Sequence, residues 1–76
     1  MNEKYIIKFK WDEEAFVWVA SSDDVPGLVL EHGSLDALIE RVKLAVPELL
    51  SLNKQDFKEA EIYYTAERHE RIHSYG

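Results

Sequence analysis

No cysteine occurs among the 76 residues, which excludes a disulfide framework and any thiolate-held metal centre. Glycine is limited to three positions and proline to two. With no Ser/Gly tract, low-complexity segment or internal repeat, the chain reads as one domain without a linker. No basic segment followed by an apolar run stands near the N-terminus, and no apolar stretch approaches the roughly 20 residues needed to span a bilayer; the expectation is a soluble cytoplasmic protein with no membrane partner. Basic residues are scarce as well. Nine Lys and Arg stand against fifteen Asp and Glu, a net charge of -6, which disfavours direct nucleic-acid binding, where cations must displace condensed counterions, and suits a basic protein partner. A chain this short buries only about 60% of the surface its unfolded form exposes. Lacking the usual staples, it is expected to self-associate as a homo-oligomer, a dimer or tetramer.

What is present is patterned. Residues 3–11 alternate, with Tyr5, Ile7, Phe9 and Trp11 on one side and Lys8 and Lys10 on the other, the period of a half-buried strand. Asp12-Glu13-Glu14 supply a hairpin turn, and residues 15–21 return with Val17 and Val19 on one face and Phe16 and Trp18 on the other, as in a central strand. Pairing Trp11 with Phe16 is the expected register, because it leaves Lys8 and Lys10 together on the wetter side; a slip of one would move Trp18 to the opposite face.

Ser21-Ser22-Asp23-Asp24 is loop chemistry, Pro26 makes Val25 extended and Gly27 permits a bend. Residues 28–31 form a short third strand that Gly33 breaks. Ser34 is placed to cap a helix from about Leu35, with Asp36 complementing its dipole. Leu35, Leu38, Ile39, Val42, Ala45, Val46, Leu49 and Leu50 form its buried stripe, leaving Glu40, Arg41, Lys43 and Glu48 in water. Pro47 is expected to interrupt the pattern with a kink, followed by a last turn through Leu49 and Leu50. After a polar connection at 51–56, residues 57–66 alternate again, Ala60, Ile62 and Tyr64 opposite Glu61, Tyr63 and Thr65. The fold class is therefore α+β, two-layer β-β-β-α-β. A right-handed crossover places the fourth strand parallel to the first, in sheet order 3-2-1-4, with one helix on one face. The free face and open edges are the expected places for self-association or partner binding.

Three clusters invite chemical readings. His69-Glu70-Arg71-Ile72-His73 satisfies H-E-x-x-H, in which a helix presents two zinc-binding His with Glu as base. The tail from Glu67 lacks periodic apolar positions and no further ligand follows His73, so a solvated tail is expected, with a small metal-dependent hydrolase as the alternative. Asp12, Glu13, Glu14, Asp23 and Asp24 resemble a carboxylate metal cluster, yet the first strand has no carboxylate at its centre and the acids fall in turns. His32 has no Ser or Cys nucleophile indicated beside it, and Trp11, Phe16, Trp18, Tyr63 and Tyr64 read as core and interface packing on so acidic a chain. No catalytic residue, cofactor or metal is expected.

The segment Asp24-Val25-Pro26-Gly27-Leu28, then Gly33-Ser34-Leu35-Asp36-Ala37-Leu38, resembles the HicB-like antitoxin pattern of an Asp-x-Pro-Gly bend, a short strand, a cap and a Leu/Ala-rich helix. Trp11-Asp12-Glu13-Glu14-Ala15 and Val17-Trp18-Val19-Ala20 are similar to a short single-domain branch of those proteins, of unknown function. The signature residues are thus Asp24, Pro26, Gly27, Gly33 and Ser34, with Trp11 and Trp18. The resemblance, over about residues 4–66, implies a HicB-like domain at 1–66 and a polar tail at 67–76, a bacterial cytoplasmic origin, and dimers or higher oligomers. It also implies a non-catalytic protein-binding role. HicB antitoxins block HicA, a small basic ribonuclease with a double-stranded-RNA-binding-like fold, and usually add a C-terminal DNA-binding segment. Only residues 67–76 follow the fourth strand here, so a DNA-binding role is not expected.

Overall fold

Alternation near the N-terminus is realised as β1 (Glu3–Asp12), with Tyr5, Ile7 and Phe9 buried and Lys4, Lys8 and Lys10 exposed. The structure is a computed structural model and describes residues 3–53, 55 and 59–74. At the end of β1 the Asp12 carboxylate accepts the N–H groups of Glu14 at 3.0 Å and Ala15 at 3.2 Å, while its carbonyl accepts that of Phe16 at 2.8 Å. This turn corrects the expected register. It occupies residues 13–16, so β2 (Val17–Ser21) opens two residues later than expected and Trp11 pairs with Trp18, not Phe16. Phe16 is left in the turn at φ 55° and 73% exposed. Because the displacement is by an even number, Trp18 keeps the face of Phe9 and Trp11, and Ala20 comes opposite Phe9 in the core.

β3 (Val29–His32) lies antiparallel to β2, and β4 (Ala60–Glu67) runs parallel to β1, giving the sheet order β3-β2-β1-β4. This is the expected α+β topology. Phe57, the expected start of the fourth strand, lies outside the described residues, as do Lys54 and Asp56 of the connection.

Between β3 and β4 runs α1 (Leu35–Leu52), with Leu38, Val42, Val46 and Leu50 buried at four-residue spacing. Pro47 does not end it. The helix continues through Pro47 to Leu52, taking in Ser51 and Leu52, which sequence assigns to the connection. A proline inside a helix costs about 3 kcal/mol. Each large aliphatic side chain fully buried returns about 1.5–3 kcal/mol, and Val46 and Leu50, one on either side, are 1% and 0% exposed. Pro47 itself faces solvent. Among the described residues the core holds no buried polar side chain, and no helix is long and apolar enough to cross a membrane.

Candidate interaction surface

The Asp24–Gly27 signature serves the fold. β2 leaves β1 after Ser21 pairs with Lys8, so the backbone of Ile6, two residues nearer the N-terminus, has no strand on that side. Side chains take its place. Ser22 Oγ donates to the Ile6 carbonyl at 2.6 Å, Asp24 Oδ2 accepts the Ile6 N–H at 2.8 Å, and the Asp24 N–H donates to Ser22 Oγ at 3.0 Å. The next residue, Val25, is fully buried. Pro26 and Gly27 then form a bend closed by the Leu28 N–H donating to the Val25 carbonyl at 3.2 Å, with Gly27 at φ +86°, the left-handed value a type II turn needs after proline. The bend rests on the end of α1. Leu49 Cδ2 lies 3.5 Å from where a Gly27 Cβ would stand, and Asn53 Nδ2 donates to the carbonyls of Leu49 at 2.8 Å and Pro26 at 3.3 Å.

Gly33 and Ser34 form a second group. Ser34 has extended backbone and its Oγ accepts the Ala37 N–H at 3.2 Å, satisfying one of the donors a helix start leaves open. His32 Nδ1 accepts the Ser34 N–H at 2.8 Å, which gives this imidazole a structural role. Trp11 and Trp18 pack edge to face across the hairpin, centroids 5.6 Å apart and planes at 65°. The seven signature residues thus fall at three places and do not converge. Sequence reasoning passes over Ser22 and Asn53; their signals are the hydroxyl-then-acid turn of Ser22-Asp23-Asp24 and an Asn just past the helix end.

The acidic residues are likewise dispersed: Asp12 holds the hairpin turn, Asp24 binds Ile6, and Asp23 pairs with Lys8 at 3.6 Å. Residues 68–74 form neither helix nor strand, so the helical face that H-E-x-x-H requires is missing. His69, Glu70 and Arg71 instead line a surface depression with Glu13. Among the described residues no three His, Cys, Asp or Glu are grouped to hold a metal.

What faces solvent is a sheet edge with aromatic and charged flanks. α1 lies over β2 and β3, leaving β4 at the margin of its cover. On the helix side Tyr64, 38% exposed, packs against Phe9 with centroids 5.7 Å apart, and the Arg68 guanidinium sits 4.1 Å above the Trp11 ring. On the open face Lys4 Nζ lies 4.4 Å from the Tyr63 ring, and the Tyr63 hydroxyl donates to Glu61 at 3.0 Å. That hydrogen bond, followed by the Glu61 charge and desolvation, holds the Tyr63 pKa above the ordinary tyrosine value. Ile6 and Val29 are also exposed.

Residues 4–76 match a family described as a domain of unknown function (DUF1902). The crystal structure of a hypothetical protein from the extremely thermophilic bacterium Thermus thermophilus is similar to the chain at a TM-score of 0.80. The two share 38% identity over 92% of this chain and 100% of that one. No curated protein matches the chain.

Proposed function

The chain belongs to the DUF1902 family, and from that premise we propose that it is a non-catalytic protein-binding module of the HicB-like type, acting as an antitoxin. The observation that carries this reading is how the signature residues are used. Asp24, Pro26, Gly27 and Ser34 have their polar groups or backbone conformation engaged in holding the sheet, the bend and the helix together. These residues therefore build a scaffold, as a binding module requires. Around that scaffold Glu13, Glu14, Asp36, Glu40 and Glu48 are exposed on a chain of net charge -6. Such a surface steers a small basic protein toward it and repels nucleic acid.

The test is co-expression with the product of a small basic open reading frame adjacent to the gene. Relief of that product's toxicity together with a co-purifying complex is the expected result. A neighbour whose toxicity persists and which forms no complex refutes the antitoxin role.

A further inference from the structure

The outer edge of β4 and the tail beyond it carry a second, independent inference. β4 pairs with β1 along its whole length, Ala60 to Glu67 against Glu3 to Lys10, and no other described strand lies on its far side. Its sequence, Ala-Glu-Ile-Tyr-Tyr-Thr-Ala-Glu, is rich in strand formers, and of the devices that protect a lone edge it carries only the charges of Glu61 and Glu67, with no proline or lysine. The chain then continues through 68–74 outside any helix or strand, with Ile72 89% exposed. The radius of gyration is 15.1 Å, against about 11 Å for a compact chain of this length.

We propose that this tail is a β-arm that pairs with the β4 edge of a second copy of the chain. The two chains form a two-fold antiparallel ladder in which Ala66 faces Ala66. Directly opposed residues of one sheet share a face, so only registers pairing even with even positions keep Ile62 and Tyr64 on the helix side. Centring on Tyr64 sets Glu61 against Glu67, two like charges. Centring on Thr65 sets the Arg68 cation against the aliphatic Ile62 of the other copy and not against an aromatic ring. Centring on Ala66 resolves both. Arg71 of each copy then opposes Glu61 of the other on the open face, whose carboxylate the Tyr63 hydroxyl already orients. On the helix face Ile72 opposes Ala60 and reaches diagonally to Ile62, both of which pack against the core at its half-covered margin. Arg68, already stacked on its own Trp11, opposes Tyr64 of the other copy and lies between two aromatic groups. The partner is a copy of the chain because both halves of each pair, edge and arm, are carried by the same molecule.

Analytical ultracentrifugation of the full chain at about 100 µM is the test, a concentration at which a standard interface is occupied. The expected wild-type mass is twice that of the 8.9 kDa chain. Arg71→Glu and Ile72→Asp should each give monomer, with the helical far-UV circular dichroism signal retained because both residues lie outside the helix and the four strands. Adding Glu61→Arg to Arg71→Glu should restore the dimer by exchanging the charges. A monomeric wild type overturns the proposal, as does a dimer that persists in both tail variants. A folded double variant that stays monomeric overturns the register.

Discussion

Replacing Gly27 by alanine isolates one physical cause. At φ +86° the residue occupies backbone space that costs an L-residue about 1–2 kcal/mol. The added methyl meets Leu49 Cδ2 at 3.5 Å, an ordinary van der Waals distance, so no steric cost adds to this. Alanine also restricts the unfolded chain, an opposing contribution of about 0.4–1 kcal/mol. The net expectation for Gly27→Ala is a loss of about 1 kcal/mol, or about 4–8 °C in a domain of this size. Gly33→Ala is the matched control. Gly33 is not in the left-handed region, and its new methyl would find only the Phe16 carbonyl at 3.9 Å; stability should stay within about 0.5 kcal/mol of wild type. Urea titration followed by circular dichroism, at one protein concentration for all variants, measures both. Equal effects at the two glycines, or a Gly27→Ala variant at least as stable as wild type, would refute the argument from backbone conformation.

Ser34→Ala should cost about 1 kcal/mol in the same titration, and Ser34→Asp should retain most of the stability because its carboxylate also accepts from the first turn; equal losses would deny the cap. The Tyr63 phenol is favoured in its neutral form by the hydrogen bond to Glu61, and Tyr5 mainly by desolvation. Their contributions are present below the unfolded value near 10.0 and are lost as pH rises through the folded values. Lys43, raised by its hydrogen bond to Glu40, follows the same sign, its charged form being favoured until the pH passes its folded value. Titration of phenolate absorbance should therefore show late-titrating tyrosines in the wild type, one of which moves down in Glu61→Ala. A Tyr63 midpoint indifferent to that substitution counts against the assignment.

The parts of this fold that follow from one-sided burial are legible in residue order alone. Tyr5, Ile7 and Phe9 must alternate to lie under a helix, and Leu38, Val42, Val46 and Leu50 must recur at a helical interval to cover them. A right-handed crossover then leaves few places for β4. The hairpin register is not legible, because Asp12 competes with a tighter loop by accepting two N–H groups of its own turn, and a shift of two residues leaves every face unchanged. The helix end is hidden for a related reason. Ser51 and Leu52 prolong the last turn past Leu50 while exposed, so no apolar burial marks them in the residue order. At the candidate surface the Pro26-Gly27 bend can be read from residue type alone. The bonds of Ser22 and Asp24 to Ile6 span 16 and 18 residues, a separation at which residue type carries no address.

The parallel pairing of β1 with β4 has a consequence for how the protein is made. Each of its pairs joins positions 57 apart, Tyr5 with Ile62 for example (62 - 5 = 57), so the strand synthesised first acquires its second neighbour only when the fourth strand has left the ribosome. Until then a nascent chain holding β1, β2, β3 and α1 presents the bare flank of β1 to its surroundings, as does any product of premature termination before Ala60. Long-range pairings of this kind form slowly and expose unpaired strands to aggregation. A fragment that ends before Ala60 is therefore expected to be degraded faster than the chain that carries β4.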